Sequence, residues 1–342
     1  MTGAPDSCGR SINYLRVSVT DRCNLRCIYC MPPSGVPLLR QSDILSYEEI
    51  GTVVRATAEV GINKIRLTGG EPLVRAQLPR LVEMLCEVQG VEEVSLTTNG
   101  TLLSRHALEL KQAGLTRVNI SLDTLRADRY RGITRLGELT AVLHGIETAQ
   151  EAGLHPVKIN VVLIRGVNDD EVLDFAAMTV DREWHVRFIE RMPFNGEVDF
   201  VPTSEVQQRI GVLGKLEPRV APTGNGPAAY YRLPGARGTI GFITPLTEPA
   251  FCSRCNRLRL TPDGKLRPCL LGEAEIDLRR LLRNNASPET LRRLVQQAVA
   301  SKPQRHHLEA GRTNPPDADP ERSRRTTGEG GGPKRRMSQI GG

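Results

Sequence analysis

Three cysteines, Cys23, Cys27 and Cys30, stand close together in the run Asp21-Arg-Cys-Asn-Leu-Arg-Cys-Ile-Tyr-Cys-Met-Pro. Three thiolates supply one ligand fewer than a [4Fe–4S] cluster has irons. Such a cluster keeps one iron open to a small molecule that offers an amine and a carboxylate. The plainer readings are a zinc site or a disulfide pair, but structural zinc wants four ligands, and no other Cys or His lies near this run. A second group, Cys252, Cys255 and Cys269, again holds three cysteines. A zinc ribbon normally has two C-x2-C knuckles, and here the second knuckle lacks its other Cys. A distant His306 or His307 would complete a zinc site; otherwise the group holds a second [4Fe–4S] cluster with a second open iron. Arg257 and Arg259 lie between these cysteines as alternate residues of a strand, so both guanidiniums point to one face and form a phosphate or nucleobase clamp.

Other residues mark the ends of strands. Gly69-Gly70-Glu71-Pro72 is a turn in which glycines let backbone approach a ligand and proline stiffens the chain. Thr97-Thr98-Asn99-Gly100 and Ser121-Leu-Asp123 place small polar groups at strand C-termini, as ligand contacts or as caps and turns. Lys158 puts a cation in an otherwise apolar strand, and a buried lysine needs a partner.

From Tyr14 to about Met192 the chain alternates strand and helix patterns. Strands are expected at 14–20, 64–68, 93–98, 117–122, 157–163 and 186–189. Helices are expected at 47–60, 79–88, 104–113, 139–152 and 170–178, the first opened by a capping box of Ser46 and Glu49. Gly61, Gly114 and Gly153 stand where helices should stop. This alternation implies parallel pairing with right-handed crossovers. The fold expected is an α/β partial (β/α)6 barrel, with loops after the strand C-termini building the site; periodicity alone leaves a flat doubly wound sheet open. After Pro193 the alternation stops. A helix at 204–210, strands at 230–233 and 239–243, a hairpin of 258–261 with 266–268 across Asp263-Gly264, and a last helix opened by Ser287-Pro288 make a small α+β extension covering one end of the barrel. The domains read as an N-terminal segment (1–13), the barrel (14–192), a region carrying the second cysteine group (193–308), a disordered linker (309–336) and a Gly-Gly tail (337–342).

The 342 residues carry a net charge of +7, with 39% hydrophobic and 4% aromatic residues. No apolar run approaches the ~20 residues of a membrane span, and the first residues lack a signal peptide's apolar region. Grouped cysteines without an export signal point to metal ligation in the cytoplasm. The basic balance suits an anionic partner, and the scarcity of aromatics argues against single-stranded nucleic acid.

The first cysteine run follows an apolar strand and resembles the signature of radical S-adenosylmethionine (SAM) enzymes. Joined with Cys252-x2-Cys255-Asn-Arg-Leu-Arg-Leu…Cys269 and a terminal Gly341-Gly342, it resembles the GTP 3′,8-cyclase family of molybdenum cofactor biosynthesis. The resemblance runs from about Gly9 to Leu308 and returns at the last residues. It implies that the first cluster binds SAM and cleaves it reductively, with SAM contacts at Tyr29, Gly70, Ser121 and Met192. A second cluster would bind guanine, with GTP contacts at Arg16, Arg66, Thr97, Lys158, Arg257, Leu258 and Arg259. Arg257, Arg259, Gly341 and Gly342 would serve catalysis. The implied reaction takes hydrogen from ribose C3′, joins C3′ to guanine C8, and yields 3′,8-cyclo-7,8-dihydroguanosine triphosphate. The implied partners are GTP, an electron donor and the downstream cyclic pyranopterin monophosphate synthase, with a homodimer open and no nucleic acid or membrane. Two other readings are a radical SAM peptide maturase with an auxiliary cluster and a zinc-stabilised nucleic-acid-binding protein.

Overall fold

The computed structural model describes residues 3–193, 199–222, 226–306 and 337–340. Six parallel strands follow the expected order: β1 (Tyr14–Ser18), β2 (Lys64–Thr68), β3 (Glu93–Thr98), β4 (Arg117–Ser121), β5 (Lys158–Leu163) and β6 (His185–Glu190). Between them run α1 (Tyr47–Glu59), α2 (Leu78–Cys86), α3 (Leu103–Gln112), α4 (Ala127–Thr134), α5 (Leu139–Glu151) and α6 (Val172–Asp181). The Ser46–Glu49 capping box forms, and Gly61, Gly114 and Gly153 take positive φ directly after helix ends. Helix α4 is an element that the sequence pattern hid. Its segment Ala-Asp-Arg-Tyr-Arg-Gly-Ile-Thr is mostly polar and contains a glycine, yet Tyr130, Ile133 and Thr134 are buried.

The C-terminal region does not simply cover an end of the barrel; its strands extend the barrel's own sheet on both edges. Strand β7 (Thr239–Ile243) pairs in parallel with β6. Strand β8 (Arg257–Leu260) pairs in parallel with β1. Antiparallel strands Ala229–Arg232 and Lys265–Arg267 then flank β7 and β8 respectively. Among the described residues the sheet is open, with no pairing between its two edges. The last long helix, Pro288–Ala300, is capped by Ser287 and packs on α1.

Alternation along these strands separates two environments. Leu15, Val17, Ile65, Leu67, Val118, Ile120, Ile159 and Val161 are buried in the core between strands and helices. The residues between them, Tyr14, Arg16, Arg66, Arg117, Asn119, Ser121, Lys158, Asn160 and Arg187, line one cavity. Strand parity therefore gives a barrel with an apolar outside and a polar, strongly cationic inside.

Candidate active site

Both cysteine groups face this cavity, whose volume is about 350 Å³. Their positions follow from strand direction. Cys23, Cys27 and Cys30 lie beyond the C-terminal end of β1, whereas Cys252 and Cys255 precede β8, whose Arg257 pairs with Tyr14 at the start of β1. Lys265–Arg267 runs back antiparallel to β8 and returns Cys269 to that same lower end. The two groups thus stand at opposite ends of the barrel interior. Strand β1 alone separates those ends by roughly 13 Å, four steps at ~3.3 Å each. No disulfide joins the described cysteines. Cys8 and Cys86 are exposed and do not line the cavity.

The upper cysteine loop is held from several sides. Cys30 N–H and Met31 N–H donate to the Cys27 carbonyl at 3.0 and 3.1 Å. The end of α4 clasps the loop, with Arg26 N–H donating to Thr134 O and Ile28 N–H to Ile133 O. Arg135 then donates to the carbonyls of Arg26 and Met31 at 2.7 and 3.0 Å. Gly70 lies flat on the strand-end segment before Cys23, donating its N–H to Thr20 O at 2.7 Å. A Cβ at Gly70 would come within 2.3 Å of Arg22 O, so no other residue fits this approach. Tyr29 donates its hydroxyl to Asp123 at 2.7 Å, and Asp123 also accepts from Val162 N–H. Glu71 accepts from Leu73 N–H, Thr98 Oγ1 and Asn99 N–H. Burial raises Glu71 to about 7 and Asp123 to about 6. Burial also lifts the Cys23 thiol to about 11 and pushes the Cys27 thiol up, which favours their uncharged forms until a metal takes the thiolates.

The middle of the cavity is a ring of cations. Arg16 pairs in register with Arg66 on one side and Arg259 on the other. Arg66 is buried, donates to the Tyr14 hydroxyl and reaches Thr97 Oγ1 at 3.4 Å. Burial, with Arg117, Arg187 and Arg16 adding repulsion against the pull of Tyr14, lowers Arg66 to about 9. Lys158 lies over the Tyr230 ring, and burial together with Arg187, Arg117 and Arg66 lowers it to about 6. Arg117 Nε, Arg187 Nε and Asn160 Oδ1 are buried atoms without hydrogen-bond partners. Several cations and orphaned polar atoms in one chamber call for a polyanionic ligand with its own hydrogen-bonding groups.

At the lower end, Cys252 and Cys255 have the opposite electrostatics. Burial pushes Cys255 up, but Arg257 and Lys302 outweigh it and bring the thiol down to about 6. Arg257 approaches the Cys255 sulfur at 3.6 Å. His306, one of the two histidines either of which would complete a zinc site, lines the cavity and bonds Pro245 O through Nε2. His307 lies outside the described residues.

Of the residues singled out from sequence, all six cysteines of the two groups, Tyr29, Gly70, Ser121, Met192, Arg16, Arg66, Thr97, Lys158, Arg257 and Arg259 line this one cavity. Leu258 does not. It has the other parity on β8 and its side chain is fully buried in the apolar core, leaving only its backbone near the chamber. Gly341 and Gly342, and the linker 309–336, lie outside the described residues. The segment just before the glycines, Met337–Ile340, is helical; Met337 lines the cavity and Ile340 is buried. Sequence reasoning missed Arg117, Asn119, Asn160 and Arg187, although each shares the parity of a cavity residue on its own or the neighbouring strand. It also missed Lys302, which no motif announces.

The donor set fits iron–sulfur ligation. Each triad brings three thiols to the cavity wall, and among the described residues no three His, Cys, Asp or Glu side chains gather as one metal ion would need. Residues 17–179 match the Radical SAM superfamily and residues 184–308 match Molybdenum Cofactor Synthesis C. The chain is 52% identical to the GTP 3′,8-cyclase of Pelotomaculum thermopropionicum over 343 residues, covering 98% of this chain and 99% of that one. It is also 52% identical to the GTP 3′,8-cyclase of Moorella thermoacetica, again covering 98% and 99%. The structure of Streptococcus suis SuiB bound to S-adenosylmethionine superposes with a TM-score of 0.59 over 83% of this chain and 68% of that one, at 12% identity, which shows a shared fold alone. With the barrel, both triads and a near full-length identity in hand, the chain belongs to the GTP 3′,8-cyclase family of radical SAM enzymes.

Proposed function

We propose that this chain cyclises GTP to 3′,8-cyclo-7,8-dihydroguanosine triphosphate, the first step of molybdenum cofactor biosynthesis. One observation carries the reading: a polar, cationic chamber runs between two cysteine triads at opposite ends of one barrel. Cys23, Cys27 and Cys30 would hold a [4Fe–4S] cluster, which with SAM would supply radical chemistry for taking hydrogen from ribose C3′. Cys252, Cys255 and Cys269 would hold a second [4Fe–4S] cluster at the lower end, to bind the guanine.

The chain's own residues position and shield. Tyr29, Gly70, Ser121 and Met192 sit at the upper end and contact SAM. Arg16, Arg66, Thr97 and Lys158, with Arg117 and Arg187, hold the triphosphate in the middle. Arg257 and Arg259 aim two guanidiniums from β8 into the lower half and assist the late, reductive part of the reaction. The protein must keep C3′ against the adenosyl carbon and exclude water, and Gly341 and Gly342, which lie outside the described residues, would enter the site and promote hydrogen abstraction at the correct ribose position. The functional units run 14–192 and 193–308, joined by the linker 309–336 to the tail. An electron donor and cyclic pyranopterin monophosphate synthase are the partners.

Anaerobic incubation with GTP, SAM and a reductant tests the reading. Removal of one hydrogen atom followed by gain of an electron and a proton makes the product an isomer of GTP. A chromatographically distinct species of GTP's mass should therefore form one-for-one with 5′-deoxyadenosine. Deoxyadenosine without that isomer would refute the proposal.

A further inference from the structure

Lys302 follows the helix Pro288–Ala300 and is 4% exposed. Its ammonium donates to Arg257 O at 2.8 Å and to Pro268 O at 2.7 Å. Those carbonyls belong to the two segments that carry Cys255 and Cys269, so a single side chain bridges the segments that hold two of the three lower cysteines. The same ammonium faces the thiols of Cys255 and Cys269. Arg10 locks the segment in place with every donor of its fork. Nε bonds Asp6 at 2.6 Å, one terminal nitrogen reaches Cys252 O and Gln304 O, and the other reaches Lys302 O and Pro303 O.

A buried ammonium is an expensive way to tie two carbonyls together, because burial penalises the charge unless negative charge lies beside it. Anionic ligands change that balance. Thiolates wrapped around an iron–sulfur cluster supply net negative charge beside the ammonium, and hydrogen bonds and charges near the sulfurs set a cluster's reduction potential. We infer that Lys302 is a positioning residue for the lower cluster: it holds the Cys255 and Cys269 segments in register and acts as the buried counter-charge that favours the cluster's reduced form. This rests on the reading that the lower triad binds a [4Fe–4S] cluster.

The test uses the full chain with Cys23, Cys27 and Cys30 all replaced by alanine, so that any cluster signal belongs to the lower triad. In this background Lys302, Lys302→Met and Lys302→Arg are reconstituted anaerobically. Iron content, iron release to a chelator and midpoint potential are then measured. The reference should hold about four irons per chain. Lys302→Met should release iron severalfold faster and move the midpoint to more negative potential, and Lys302→Arg should restore the potential by restoring the charge. If Lys302→Met holds no cluster at all, recovery of the cluster in Lys302→Arg upholds the role of the charge, and failure to recover overturns it. A reference that binds no iron refutes the lower cluster and this inference with it. An iron-bearing reference whose potential and release rate are unmoved in Lys302→Met overturns this inference alone.

Discussion

Replacing Lys158 with methionine should stabilise the nucleotide-free protein while removing its response to GTP. Lys158 is 2% exposed inside the barrel, and burial followed by repulsion from Arg187, Arg117 and Arg66 pulls it from 10.5 to about 6. At pH 7.5 folding strips a proton that the unfolded chain holds with a pKa of 10.5. The difference of 10.5 − 7.5, or 3 pH units, makes that penalty about 4 kcal/mol, an upper bound that methionine, a neutral side chain of similar length, would remove. The sign across pH follows from the same numbers. Between about pH 6 and 10.5 the unfolded chain binds one more proton than the native one, so nucleotide-free stability rises with pH through that window, and Lys158→Met should flatten the slope. A bound triphosphate returns the proton to Lys158, so wild-type GTP binding should take up protons near pH 8 and weaken as pH rises. Thermal unfolding of anaerobic protein from pH 6.5 to 9, with and without GTP, reads both effects. The variant should melt several degrees higher without nucleotide and gain little from GTP. A variant that melts lower than wild type without nucleotide, or keeps the full GTP-induced rise, would refute the reasoning.

Three further outcomes follow from the two ends of the chamber. Replacing Cys252, Cys255 and Cys269 with alanine should halve the iron and abolish cyclised product while SAM cleavage persists; loss of SAM cleavage with an intact upper-cluster spectrum would contradict this division of labour. Arg257→Lys and Arg259→Lys keep charge but lose the planar fork, so each should lower cyclised product per deoxyadenosine by roughly tenfold, a loss of about 1.4 kcal/mol in the later steps; unchanged coupling in both would rule the role out. Deleting Gly341 and Gly342 should abolish product with both clusters and GTP affinity nearly intact, and a peptide of the last ten or so residues should partly restore turnover; full activity in the truncated chain would leave the tail without this role.

The barrel was legible because its signals are local. Alternating apolar strands, helix-stopping glycines and the Ser46–Glu49 box each depend on neighbours a few residues away. The cysteine spacings were legible for the same reason. What escaped notice is non-local. Nothing near Thr239–Ile243 or Arg257–Leu260 says that these strands join opposite edges of the same sheet, since parallel pairing is settled by distant packing. Arg117, Asn119, Asn160 and Arg187 were within reach, because strand parity alone puts them beside Lys158 and Arg66. Arg135 and helix α4 were not, since a polar segment hides how it clasps the cysteine loop. Lys302 lies far along the chain from the cysteines it braces, and only the fold reveals that contact.

The most direct test of the account is hydrogen transfer from a single position of the substrate. GTP carrying deuterium only at C3′ is turned over anaerobically with SAM and reductant, and both products are analysed by mass spectrometry. The proposed reaction predicts one deuterium in the 5′-deoxyadenosine and none in the cyclised nucleotide. Deoxyadenosine without deuterium, formed alongside a nucleotide that keeps its label, would contradict the assignment of this chain as an enzyme that abstracts from C3′ of GTP.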